Sequence, residues 1–183
     1  MTSKKAIIFL DVDGVLNSDD YYASLNGTHG YYKDIDIEKV KLLRQICDAT
    51  GAKIVISSSW RGSDTYTPRI YWILRNILAE NGIDVIGDTP FVKTELDDVC
   101  REVIGLDGIV EEYNIKFGTG RAEEVHRWIV KNNPESFVIL DDESWNWAEY
   151  GYDKNWIQPH YFGDNGGLHT EHVEKAIKIL NGE

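Results

Sequence analysis

The sequence predicts an α/β fold with a mostly parallel central sheet flanked by helices. Two observations carry that expectation. Short apolar runs recur along the chain and end abruptly in acids or hydroxyls: residues 7–10 before Asp11 and Asp13, 54–56 before Ser57, and 137–140 before Asp141 and Asp142. Between these runs lie segments whose apolar residues recur every three or four positions. The runs suit strands covered on both faces, and the intervening spacing suits amphipathic helices. Repeated strand–helix units build a parallel sheet with right-handed crossovers.

Taken in order, residues 7–10 form the first strand. Ile37, Val40, Leu43 and Ile46 mark a helix, with Gly51 as its stop. Residues 53–56 form the second strand. Ile70, Ile73, Leu74, Ile77 and Leu78 mark a helix ending near Asn81 and Gly82, and residues 83–86 form a third strand. A helix after Gly120 carries Val125, Trp128 and Ile129 on one face. Residues 137–140 form another strand, and Val173, Ala176, Ile177 and Leu180 mark a terminal helix. Residues 17–35, rich in tyrosine and glycine, read as a loop or hairpin over the strand end that bears Asp11. Residues 91–118 give mixed signals and no assignment. The expectation is one domain over residues 1–183, with a short flap insertion at about 17–35.

Composition narrows the function classes. Acids outnumber bases 31 to 19, a net charge of −12, which repels polyanions at long range and argues against stable polyanion binding. No apolar run reaches the roughly 20 residues needed to span a membrane, and no secretory segment precedes the first strand. Cys47 and Cys100 lack a CxxC spacing, so a reducing, cytoplasmic setting is the expectation. The five histidines show no zinc-binding spacing. Gly118-Thr119-Gly120 is only a fragment of a dinucleotide-binding pattern.

The chemistry-bearing residues fall at strand ends. Two carboxylates at the end of a buried strand are costly to desolvate unless a cation sits beside them, and open α/β sheets place their sites at that edge. Asp11 and Asp13 are therefore expected to face a divalent cation, phosphate chemistry or both. Asp141 and Asp142 are a second acid pair at an equivalent position. Ser57 is the first hydroxyl after its apolar run. Arg121 opens a helix, where free N–H groups also favour anions.

Capping or a solvated helix face is the bland alternative for each of these residues singly. The ordered set, acid pair, hydroxyl, cation, acid pair, is what lifts it above that alternative. The segments FLDVDGVLN, ISSSWR, GR at a helix start and VILDDES resemble the four motifs of the haloacid dehalogenase (HAD) superfamily over roughly residues 6 to 145. Together with the tail from Gly167 to Ile177, they are similar to the HAD domain associated with Swiss-army-knife RNA repair proteins.

The resemblance implies a Rossmann-like HAD fold with a minimal cap or none, and a phosphomonoester hydrolase working through an aspartyl-phosphate. In that pattern Asp11 is the nucleophile and Asp13 the general acid and base. Mg²⁺ is held by Asp11, by Asp13 through its backbone carbonyl, and by Asp141. Asp142 is a further ligand or an orienter of the others. Ser57 and the backbone N–H of Ser58 bind the phosphate, with Ser59 and Arg61 as neighbours that also reach the site. Arg121 supplies the positive charge, with Lys116 the alternative and Lys93 a more distant one. The substrate is a phosphorylated small molecule or a nucleic-acid end. A non-catalytic phosphate-binding module is the competing class, set against the presence of every acid. A dehalogenase would not need Asp13. Trp60 and Trp145, which follow motifs directly, are expected to wall the site, and the tyrosines at 21, 22, 31 and 32 to pack within the flap.

Overall fold

A computed structural model of the chain describes residues 5–28, 30, 32–61, 68–92 and 120–183. Five strands make one sheet: β1 (Ala6–Leu10), β2 (Lys53–Ile56), β3 (Val85–Asp88), β4 (Ser136–Leu140) and β5 (Trp156–Ile157). Their order is β3-β2-β1-β4-β5, and every neighbouring pair is parallel. The helices are α1 (Asp19–Ser24), α2 (Ile37–Thr50), α3 (Pro68–Glu80), α4 (Gly120–Asn132) and α5 (Thr170–Asn181), with a 3₁₀ turn at Trp147–Tyr150. The α/β class and the parallel sheet agree with the sequence.

Alternation along the strands divides the core into two layers. Ile8, Leu10, Ile54, Ile56, Val138 and Leu140 point to the side packed by α2, α3 and α5. Ile7, Phe9, Val55 and Ile139 point to the other side, against Ala122 and Val125 of α4 and Trp147 of the 3₁₀ turn. Trp128 meets Phe9 edge-on, with ring centroids 5.3 Å apart. β1 is buried along its whole length, as a central parallel strand must be.

Helix ends follow local chemistry. The Asp36 side chain caps α2 by accepting from the Glu38 N–H at 2.9 Å, and Gly51 stops the helix in the left-handed region at φ +70°. No helix among the described residues is long and apolar enough to cross a membrane.

Three elements differ from the sequence reading. The third strand begins at Val85 rather than 83. Ile83 closes the turn after α3 by donating to the Leu78 carbonyl, and pairing with β2 shifts register between Ile54 and Val55. β5 is an addition of two residues. Within the 17–35 stretch expected as a loop or hairpin, Asp19–Ser24 form a short helix. The Tyr21 hydroxyl donates to the Lys33 and Ile35 carbonyls, which ties α1 to the turn before α2. Lys93, Cys100 and Lys116 lie outside the described residues, as does most of the unassigned 91–118 stretch.

Candidate active site

The parallel register carries the site residues to one edge. One residue beyond each strand, the Asp11 N–H donates to the Leu140 carbonyl at 2.9 Å, and the Ser57 N–H to the Leu10 carbonyl at 2.8 Å. Asp141, Asp11 and Ser57 thus form a continuous row across β4, β1 and β2. Their side chains continue the alternation of Ile139, Phe9 and Val55, so they face α4. Carboxylates are tolerated here because α4 starts at this edge with Arg121 in its first turn.

Arg121 spans the row. Its Nη1 lies 3.1 Å from Asp141 Oδ2 and 3.4 Å from Asp11 Oδ1, and it also donates to the Ser57 carbonyl oxygen. The guanidinium stands 5.1 Å from the centre of the Trp145 ring. Trp145 Nε1 donates to Asp141 Oδ1 at 2.9 Å, and Trp156 Nε1 donates to the Asp141 carbonyl at 2.8 Å. Asp141 is therefore buried but thoroughly hydrogen-bonded. Burial, and then the nearby Asp11 charge, still hold its carboxyl well above the usual carboxylate range.

Asp142 completes a cluster. Asp11, Asp141 and Asp142 each offer a carboxylate oxygen, and these atoms all lie within 4.8 Å of one another. The Asp142 carboxyl is pushed up to about 7 by burial and by the charge of Asp11. Three crowded carboxylates are the hard oxygen donor set that a divalent cation accepts. The Asp13 carboxylate is not in this cluster. Its Oδ1 accepts from Asn17 Nδ2 and its Oδ2 from Trp60 Nε1, both at 2.8 Å. Burial raises the Asp13 pKa above its ordinary value, those two hydrogen bonds oppose the rise, and Asp11 adds to it.

The serines separate by environment. Ser57 is 1% exposed, and its Oγ has no hydrogen-bond partner among the described residues. An unmade hydrogen bond on a buried hydroxyl costs about 1–3 kcal/mol, which a ligand oxygen would relieve. Ser58 Oγ instead accepts from the Trp60 N–H at 3.2 Å, and Ser59 is exposed.

Two functional-looking residues were missed by the sequence reading. Glu124, one turn along α4 from Arg121, is buried. It pairs with Arg61 Nη2 at 2.5 Å and lies 3.9 Å from Arg121 Nε. Arg61 also donates to the Ser58 carbonyl at 3.0 Å and lies over the Phe91 ring. The i, i+3 spacing of Arg121 and Glu124 was the available signal. Asn17, fully buried, gave no signal beyond closing the FLDVDGVLN segment.

The arrangement holds an acid triad fit for a cation, a fourth acid held by two donors, an unsatisfied hydroxyl and a buried arginine at one sheet edge. No curated protein and no solved structure matches the chain. The family model described as the HAD domain in Swiss Army Knife RNA repair proteins matches residues 7–173, from the start of β1 into α5. The chain belongs to that family of HAD domains.

Proposed function

We propose that the protein is a Mg²⁺-dependent phosphomonoesterase in which Asp11 carries the phosphoryl group. The row of Asp141, Asp11 and Ser57 spanned by Arg121 is the observation that supports this reading most directly. Family membership adds to it, because HAD domains are generally phosphatase-type hydrolases.

In this reading an Asp11 carboxylate oxygen attacks phosphorus, and the bond from phosphorus to the ester oxygen breaks. Asp13 gives its proton to that departing oxygen. Asp13 then takes a proton from the water that attacks the phosphoryl group on Asp11, which frees inorganic phosphate and restores both acids. Ser57 Oγ and the Ser58 N–H donate to the phosphate oxygens, and Arg121 balances their charge. Mg²⁺ would be held by the carboxylates of Asp11, Asp141 and Asp142 and the backbone carbonyl of Asp13. When bound, it neutralises charge on the transferring oxygens.

The substrate is a phosphorylated small molecule or the phosphorylated end of a nucleic acid. The net charge of −12 fits contact confined to a terminal phosphate rather than a long polyanion track. The reading sets the protein in the cytoplasm, where its sparse cysteines stay reduced.

Phosphate release from p-nitrophenyl phosphate, nucleoside monophosphates and 5′- and 3′-phosphorylated oligonucleotides tests the reading. Turnover with Mg²⁺ is expected to vanish in EDTA and in Asp11→Asn. Equal turnover by Asp11→Asn and the parent protein would overturn it.

A further inference from the structure

We propose that Trp60 and Asn17 are positioning residues that aim Asp13 at the leaving oxygen of the substrate. The inference rests on the phosphatase reading and adds what makes Asp13 competent within it.

The geometry is two-sided. Asp13 Oδ1 accepts from Asn17 Nδ2 and Oδ2 from Trp60 Nε1, each at 2.8 Å. The two donors approach from different parts of the chain. Asn17 follows β1 by a short turn, whereas Trp60 lies in the turn after β2. With one fixed donor on each oxygen, the carboxyl group can neither rotate about its terminal bond nor swing to another rotamer without breaking a contact.

The assignment of the Asn17 amide follows from its other partners. The Gly14 N–H donates to Asn17 Oδ1 at 3.2 Å, which fixes that end of the amide as the carbonyl. The opposite end therefore carries the hydrogens. One hydrogen points to Asp13, and the other is shared between the Tyr22 hydroxyl at 2.9 Å and the Asp34 carbonyl at 3.2 Å. Among the described residues, both side chains hydrogen-bonded to the Asp13 carboxylate are donors only: an amide NH₂ and an indole N–H. Neither can take the acid's proton, so the proton must occupy a lone pair directed away from both. Asn17 and Trp60 thus set the direction in which Asp13 presents its proton, without touching substrate themselves.

A merely structural brace would have the same contacts but no chemical selectivity, and leaving-group dependence separates the two. p-Nitrophenolate departs as an anion and needs no proton, whereas an alkoxide needs one as the bond breaks. kcat/KM, which reports the first half-reaction, is measured for p-nitrophenyl phosphate and for an alkyl phosphate with Trp60→Phe, which keeps an aromatic ring and removes the N–H. The expected result is a loss of about tenfold or more on the alkyl ester, with the aryl ester changed by less than about threefold. Equal losses on both esters, or no loss on either, would overturn the proposal.

A parent protein that hydrolyses neither of these esters and none of the nucleoside monophosphates or phosphorylated oligonucleotides overturns the phosphatase reading itself. The clamp is then decided by ¹⁵N NMR. The Trp60 indole resonance, assigned by its absence in Trp60→Phe, is expected to shift in Asp13→Asn, and an unmoved resonance would sink the clamp. Circular dichroism of Trp60→Phe verifies that the fold is retained.

Discussion

Asp142 packs so tightly on Gly14 that a Cβ added at Gly14 would stand 2.3 Å from Asp142 Cγ. Gly14 also has φ +72°, in the left-handed region where a side chain is strained. The glycine of the DxDG segment therefore serves two ends: the turn after β1 and the close approach of Asp142, the third carboxylate of the acid cluster. Gly14→Ala is expected to lose about 2–4 kcal/mol of stability from strain and overpacking together. It should also weaken Mg²⁺ binding by displacing Asp142. Chemical denaturation and calorimetric titration with Mg²⁺ check the two effects separately.

Glu124 makes a sharp contrast with its neighbour Glu123. The Glu124–Arg61 pair is almost fully buried, with side chains 6% and 4% exposed. The Glu123–Arg127 pair on the same helix is much more open, with side chains 34% and 56% exposed. Removing one partner of a buried pair typically costs about 3–5 kcal/mol, and Glu124 is the carboxylate paired with Arg61 Nη2 and the one nearest Arg121 Nε. An exposed pair contributes at most about 1 kcal/mol. Urea unfolding should therefore show a large loss for Glu124→Ala and a small one for Glu123→Ala. Losses of equal size would contradict the burial argument.

Cation binding should stabilise the fold. A ligand that binds only the native state at a hundred times its dissociation constant adds about 2.7 kcal/mol. Mg²⁺ is expected to raise the thermal midpoint of the parent protein. The shift should disappear in Asp141→Asn and persist in Asp153→Asn, which changes an exposed acid. The quantity read is the Mg²⁺-induced shift within each variant, because relief of carboxylate crowding changes the metal-free midpoint of Asp141→Asn by itself.

His172 gives a pH prediction away from the site. Burial lowers its pKa below the ordinary 6.5, and its Nδ1 accepts from the His169 N–H at the start of α5 at 3.0 Å. The folded protein therefore resists a proton that the unfolded chain accepts. The contribution to stability is complete above pH 6.5 and declines as pH falls from there through the folded value. An NMR titration should find His172 titrating below 6.5, and a titration above 6.5 would contradict this.

Much of the sheet was legible because a central parallel strand has nowhere to put a polar side chain. The runs at 7–10, 54–56 and 137–140 announced β1, β2 and β4 directly. β3 was placed two residues early because half of its true span is Gly87 and Asp88, which carry no apolar signal. β5 covers two residues, too few for any periodicity. α1 escaped because it is only six residues long, buries none of them, and is anchored through tyrosine hydroxyls, a bond that composition does not reveal. The acids, Ser57 and Arg121 were legible from strand ends and a helix start. Glu124 offered only its i, i+3 spacing from Arg121, which does not reveal its pairing with Arg61, and the Asn17–Trp60 clamp offered nothing, because both depend on which segments meet at the sheet edge.

The strand order also sets a timetable for synthesis. Ile8 pairs with Val138, so Asp11 and Asp141 sit on adjacent strands although 130 positions of sequence separate them. At roughly 10 residues per second, the two are made about ten seconds apart or more. Until β4 leaves the ribosome, the nascent chain holds β1 with one long edge unpaired, exposing backbone groups that invite other strands. Arg121 is translated shortly before β4, so the acids at the end of β1 wait almost as long for their charge partner. The centre of this sheet is therefore completed only when β4 arrives, and fragments ending before Leu140 should be bound by chaperones longer than the full chain.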